Sequence, residues 1–244
     1  MSSVFYTYED LLQKIEEIEA KIGHTFSDKS LLISACTHCS YINEHKNHVG
    51  GHNERLEFLG DSVLNLIVST YLYDALKNSA EGELSYLRAQ IVSASSCAKF
   101  LQHLELQKYL LVGKGEQIHQ GRGQVSLLCD FFEAILGAYF LDTNFETVQH
   151  FFIARFSNML LKILKTPEKN WKALLQESIQ KKYNEIPQYK ILLEEGPDHE
   201  KIFEVQVLVQ NREFGRGRGS SKKNAEQEAA QKALVMLDPK HSLE

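Results

Sequence analysis

Apolar positions recur at a period near 3.6 residues from Tyr8 to about Leu164, and this spacing predicts helices over about 8–22, 28–36, 52–76, 82–103, 124–140 and 144–163. No convincing strand alternation interrupts them, so residues 1–163 are expected to form an all-α domain. Breaks are expected at Gly23, at Gly50-Gly51 and across the glycine-rich segment 113–123, and Ser27 or Asp28 can cap the second helix. The polar, proline-marked run from Leu164 to Glu168 reads as a linker, 164–168. Beyond it the pattern changes. Residues 169–182 are amphipathic, 188–195, 201–210 and 212–218 carry the β-branched and aromatic residues of strands, and 221–237 is rich in Ala, Glu and Lys. Residues 169–240 therefore read as an α+β module of order α-β-β-β-α. Asn211 falls at a tight hairpin turn, and Ser220 or Ser221 can cap the last helix.

With 244 residues and 43% apolar content, the chain can bury a sizeable core. Its N-terminus lacks the basic-then-apolar pattern of a secretory signal, and no apolar run approaches the roughly 18 residues that span a bilayer. A cytoplasmic protein without membrane attachment is expected. Cys36, Cys39, Cys97 and Cys129 are too few and too irregularly spaced for a disulfide framework, and are expected to be reduced thiols. The net charge of −5 argues against nucleic-acid binding until its distribution is considered. Residues 1–166 hold 14 Lys+Arg against 19 Asp+Glu, whereas residues 167–244 hold 13 of each. The acidic excess thus belongs to the helical part, and in the second part Arg212, Arg216, Arg218, Lys222 and Lys223 bunch together.

The candidate chemistry lies in Asn53-Glu54-Arg55-Leu56-Glu57-Phe58-Leu59-Gly60-Asp61. At roughly 100° per residue, Glu54, Glu57 and Asp61 fall within about 60° on one face of an otherwise apolar helix. Asp130 and Glu133 are likewise spaced inside an apolar helix, and Glu81 stands near a helix start. An acid in a helix is ordinarily solvated or salt-bridged, and Arg55 and Arg88 could neutralise two of these. Five acids on apolar faces instead suggest hard oxygen ligands for Mg²⁺ or Mn²⁺, ions that support phosphodiester cleavage. Cys36, Cys39, His48 and His52 loosely imitate a zinc site, but the loop is short and Cys36 is needed on an apolar face.

In the second module, Lys222 and Lys223 occupy the first turn of a helix, where the macrodipole disfavours cations unless an anion binds. Ser221 lies at the same helix end, and Gln176, Glu177 and His199 could touch a shallow groove and its 2′-hydroxyls. Joined to the α-β-β-β-α order, these features favour double-stranded RNA recognised by shape.

The chain resembles bacterial ribonuclease III over nearly its whole length. The stretch 53–61 is similar to that family's signature motif, 126–142 to its second acidic helix, and 168–238 to a double-stranded RNA-binding domain; Gly23-His24-Thr25-Phe26 and Thr37-His38-Cys39-Ser40-Tyr41 match further landmarks. The resemblance implies a Mg²⁺-dependent endoribonuclease, with Mn²⁺ as a substitute, in which the cation activates water. It implies Glu57, Asp61, Asp130 and Glu133 as metal ligands, with Asp61 and Glu133 central to catalysis and Glu54 and Glu81 auxiliary. It further implies a homodimer pairing its signature helices, and cleavage that leaves 5′-phosphate and 3′-hydroxyl ends with short 3′ overhangs. Precursor ribosomal RNA and other structured transcripts are the implied substrates. Cys39, Val125 and Phe131 depart from the family pattern, which bears on substrate preference; none removes a ligand. Two other readings stand beside this one: an RNA-binding protein without chemistry, and a metal-dependent phosphohydrolase of small molecules.

Overall fold

The computed structural model describes residues 7–45, 50–115, 122–165, 170–196 and 201–237. It divides into two compact units, Met1–Pro167 and Glu168–Glu244.

In the first unit, the expected opening helix is two, α1 (Tyr8–Gln13) and α2 (Ile15–Ile22), because Lys14 leaves helical geometry at φ −104°, ψ 0°. Gly23 ends α2 at φ 82°, a left-handed conformation that glycine adopts without strain. Helix α3 (Lys29–Ala35) starts at the cap expected of Asp28, whose carboxylate accepts from Ser30 N–H at 2.9 Å. A short α4 (Cys39–Glu44) and a 3₁₀ turn (Gln107–Tyr109) escaped the periodicity, being too brief to establish one. The expected 82–103 helix is interrupted at Val92-Ser93 into α6 (Glu81–Ile91) and α7 (Ala94–His103), with Ser93 Oγ accepting from Ser96 N–H. Apolar periodicity continues across that corner, which hides it from a pattern reading.

The centre of the unit is α5 (Glu54–Ala75) packed against α8 (Arg122–Asp142), flanked by α7 and by α9 (Phe145–Lys165). Helix α9 runs to Lys165, two residues into the segment read as linker. Phe100, Phe132, Phe152 and Phe156 join α7, α8 and α9 in one buried ring cluster, with centroids 4.7 Å apart for Phe100–Phe156 and 5.1 Å for Phe152–Phe156. Among the described residues α8 is long and apolar enough to cross a bilayer, although Asp130 and Glu133 interrupt any unbroken apolar run. Its Phe131, Phe132, Ile135 and Leu136 are fully buried within the unit, so the core accounts for that apolarity.

Helices α5 and α8 cross at backbone contact. A Cβ on Gly60 would lie 1.8 Å from the Glu133 carbonyl oxygen, and one on Gly137 would lie 2.2 Å from that of Leu56. The start of α5 is held from the other side. Thr37 pairs with Leu111 in an isolated parallel bridge, His38 N–H donates to Leu111 O at 2.9 Å, and Asn53 N–H donates to Thr37 O at 2.9 Å.

The second unit follows the expected order: α10 (Trp171–Tyr183), β1 (Gln188–Glu195), β2 (Ile202–Val209), β3 (Arg212–Gly219) and α11 (Lys222–Leu237). The strands form an antiparallel sheet in the order β1-β2-β3. Gln210 and Asn211 both have positive φ, 52° and 59°, as a tight two-residue hairpin turn requires. Leu175 and Ile179 of α10 meet Val207 and Val209 of β2 and Ala229, Ala233 and Leu234 of α11. Small residues allow α11 to lie almost on β3: a Cβ on Gly217 would fall 2.3 Å from Ala225 O.

Gly60→Ala is expected to destabilise the first unit by about 3 kcal/mol, because the added carbon meets backbone and no side chain can yield. Urea unfolding measures this, and a change below about 0.5 kcal/mol would contradict the close crossing.

Candidate metal centre and nucleic-acid interface

The α5–α8 crossing decides which acids meet. Carboxylate oxygens of Glu57 from α5 and of Asp130 and Glu133 from α8 all lie within 4.8 Å of one another. Glu57 and Asp130 are partly buried, and Glu133 is only 8% exposed. Burial raises the Glu57 pKa, with Asp130, Glu54 and Asp61 adding repulsion. Burial raises that of Asp130 too, partly offset by His38. Glu133 is pushed up to about 7, chiefly by burial, with smaller contributions from Asp61, Asp130 and Glu57 against an opposing hydrogen bond from Cys129. Among the described residues no Lys or Arg pairs with these three; Arg88 turns to Ser69 Oγ at 3.2 Å, so the neutralisation open to it in the sequence does not occur.

Asp61 lies on the exposed side of the group. It is close enough to repel Glu57 and Glu133 but is not one of the three converging carboxylates, and its Oδ1 accepts from Asn65 Nδ2 at 2.8 Å. Glu54 is exposed, with Oε2 3.6 Å from His52 Nδ1. Glu81, at the start of α6, accepts from Ser85 Oγ at 2.8 Å and is not part of the converging group. Three mutually repelling, half-desolvated oxygen donors fit a hard divalent cation, which would relieve both the repulsion and the burial cost of charge.

Two neighbours were not singled out in the sequence. Cys129 Sγ donates to Glu133 Oε1 at 3.4 Å, a contact legible in principle because the residues are four apart on α8. His38 reaches the vicinity of Asp130 through the Thr37–Leu111 bridge, a long-range contact with no local signal. The zinc-like spacing does not assemble. Cys36 is fully buried in the core, His48 lies outside the described residues, and Cys36, Cys39 and His52 form no metal-binding group among those described.

In the second unit Gln176 of α10 and Lys223 of α11 line one cleft, beside Lys172 and Tyr189. Glu177 is exposed on α10 and paired with Lys181 at 2.6 Å. Ser221 Oγ accepts from Asn224 N–H at 3.2 Å, so its hydroxyl caps α11 as expected. Lys222 is paired with Glu194 at 3.2 Å and lies over the Phe203 ring. Arg216 and Arg218 are similarly engaged by Glu204 and Glu213. His199 lies outside the described residues.

The Ribonuclease-III-like family model matches residues 28–160, and the double-stranded RNA binding motif matches residues 171–237. A protein named Ribonuclease 3 from Protochlamydia amoebophila is 51% identical over 230 residues, covering 94% of this chain and 95% of its own. This chain belongs to the ribonuclease III family. Ribonuclease 3 of Geobacillus thermodenitrificans is 43% identical over 230 residues, with 94% of each chain covered. The crystal structure of the ribonuclease III nuclease domain from Campylobacter jejuni superposes with a TM-score of 0.53 at 36% identity, over 64% of this chain and 99% of that one. A second structure of that domain, at 39% identity, TM-score 0.53 and coverage of 59% and 96%, is described as flexible in the region involved in dimer formation.

The raised Glu133 pKa gives this ribonuclease III family member a defined pH signature when metal is withheld. The folded state holds the proton up to about pH 7, whereas the ordinary value is 4.5, so the folded state binds more protons between those limits. Its stabilising contribution is therefore full below about pH 4.5 and lost as pH rises through 7, by at most about 3 kcal/mol. In EDTA the melting temperature is expected to fall from pH 5 to pH 8, with a shallower slope in Glu133→Gln. A wild-type melting temperature that rises over that range would overturn the assignment.

Proposed function

We propose that this protein hydrolyses double-stranded RNA, with Glu57, Asp61, Asp130 and Glu133 holding Mg²⁺, or Mn²⁺ in its place. The observation that carries the reading is the convergence of three carboxylates within 4.8 Å, in a chain whose second unit matches a double-stranded RNA binding motif. When bound, a divalent cation neutralises phosphate charge and lowers the pKa of water. Glu57 and Asp130 fix the site from two helices, and Glu133, the most buried of the three, sets its depth. Asp61, with its exposed carboxylate oriented by Asn65, faces the side from which a phosphate would arrive and completes the ligand set. Glu54 and Glu81, both exposed, shape the approach of RNA. Gln176, Lys223 and, after exchange of its Glu194 partner for phosphate, Lys222 hold the duplex by its backbone and 2′-hydroxyls. The products on this reading carry 5′-phosphate and 3′-hydroxyl ends with short 3′ overhangs. Precursor ribosomal RNA and other structured transcripts of the cytoplasm are the substrates.

The working form on this reading is a homodimer. Phe58, Leu66 and Tyr73 are 78%, 51% and 74% exposed and share an arc of roughly 80° on α5, an apolar stripe that a second copy would cover. A two-fold pair of sites suits the approximate two-fold symmetry of a duplex backbone.

Glu133→Gln is expected to bind long duplex RNA with wild-type affinity while cleavage with Mg²⁺ falls by at least about a thousandfold, a loss of about 4 kcal/mol in transition-state stabilisation. Cleavage within tenfold of wild type would refute the role given to Glu133. Phe58→Asp is expected to sediment as a monomer at concentrations where the wild type is dimeric; an unchanged sedimentation coefficient would sink the α5 interface.

A further inference from the structure

Glu133 also belongs to a second group of potential ligands. Cys97 Sγ from α7, Cys129 Sγ and a Glu133 carboxylate oxygen from α8 lie within 4.8 Å of one another, and all three residues are buried. Neither thiol has a part in the proposed hydrolysis. We propose that Cys97, Cys129 and Glu133 form a separate site for thiophilic divalent cations, Zn²⁺ or Cd²⁺, whose occupation draws Glu133 away from the hard-metal centre and stops cleavage. The effect on cleavage rests on the role given to Glu133 above, whereas binding of the cation does not.

Three observations carry this site. The first is spacing: zinc ligands at about 2.0–2.3 Å in a tetrahedron stand roughly 3.5 Å apart, and Cys129 Sγ is already 3.4 Å from Glu133 Oε1. The second is donor chemistry, because two sulfurs and one oxygen suit zinc or cadmium and exclude magnesium. The third is charge. Each thiol that binds releases one proton to solvent, so two thiolates and one carboxylate around a divalent cation leave a net charge of −1. That equals the charge of the empty site once Glu133 is ionised, so occupation above about pH 7 adds no net buried charge.

The sharing of Glu133 gives the site its consequence. This carboxylate lies within 4.8 Å of the Cys97 and Cys129 sulfurs and also within 4.8 Å of carboxylate oxygens of Glu57 and Asp130. A cation held by two sulfurs fixes its orientation toward α7 and reduces its ability to complete the oxygen-lined group. Zinc and magnesium would thus oppose each other through a single side chain.

Cd²⁺ titration of the full-length, metal-free protein reads the site directly, through the ultraviolet thiolate-to-cadmium charge-transfer band and the protons released in weak buffer. The expected result is a band that saturates at one Cd²⁺ per chain with at least two protons released, disappears in Cys97→Ala and Cys129→Ala, and persists in Cys39→Ala. In saturating Mg²⁺, micromolar Zn²⁺ should lower wild-type duplex cleavage more than tenfold, while Cys97→Ser and Cys97→Ala each retain at least half of their own zinc-free rate. Absence of the band in wild type overturns the proposal without recourse to any variant. So does a band that survives both alanine substitutions, or equal zinc inhibition of wild type and both Cys97 variants. Failure of the hydrolase reading would look different: wild type would not cleave duplex RNA with Mg²⁺, yet the cadmium band would remain.

Discussion

The closeness of α5 and α8 is the constraint on which the catalytic unit depends. Gly60 and Gly137 each sit against a carbonyl of the opposite helix, so the two backbones meet with no side chain between them. That contact sets the separation of everything the helices carry. Glu57 lies one turn before Gly60 and Glu133 one turn before Gly137, and the crossing therefore superimposes them. With larger residues at the two glycines the helices would stand apart, and the acids would become ordinary solvated side chains. The burial of Phe131, Phe132, Ile135 and Leu136 on the other sides of α8 reinforces the contact, because a shift of α8 away from α5 would open the close-packed core around them.

Three acids brought together this way are unfavourable as anions. Glu57, Asp130 and Glu133 all have raised proton affinities, which means that the folded chain resists their ionisation. The aromatic and aliphatic core around Phe100, Phe152 and Phe156 supplies the stability that offsets this strain. A protein optimised for stability alone would place apolar residues at these positions. Acids at these positions, on helices held at backbone contact, are what the proposed metal site requires, because a cation there would relieve their repulsion.

Much of this was legible in the chain itself. The i, i+3 and i+4 spacings of Glu54, Glu57, Asp61, Asp130 and Glu133 put the acids on common faces, and the β-branched and aromatic content of 188–195 placed β1 at its observed limits. Periodicity could not show the corner at Val92-Ser93, since apolar spacing runs through it, nor α4, which has under two turns. It also treated the acids on α5 as equivalent. Only the helix crossing separates Glu57, which converges with α8, from Glu54 and Asp61, which remain at the exposed margin. The position of His38 depends on a bridge between residues 37 and 111, a separation that no local pattern reports. The zinc-like spacing was rightly set aside: Cys36 and Cys39 are close in sequence, but the apolar face of α3 and its end draw Cys36 into the core, as its place on an apolar face required.

Charge in the second unit follows a different logic from charge in the first. Three of its basic residues do not stand as open positive charge, because Lys222, Arg216 and Arg218 already hold carboxylates of Glu194, Glu213 and Glu204. A phosphate that binds there must replace an existing partner, so the net gain per contact is smaller than for an unpaired cation. Affinity then requires several replacements at once, which only a backbone with the right spacing can supply. The neutral sum of this unit is therefore compatible with RNA binding and favours recognition by shape: an A-form duplex presents phosphates in a fixed array, whereas a flexible strand must be ordered before it can make the same exchanges. Pairing several of its cations internally raises the cost of binding a polyanion of the wrong spacing, which is one way to select a duplex by its shape.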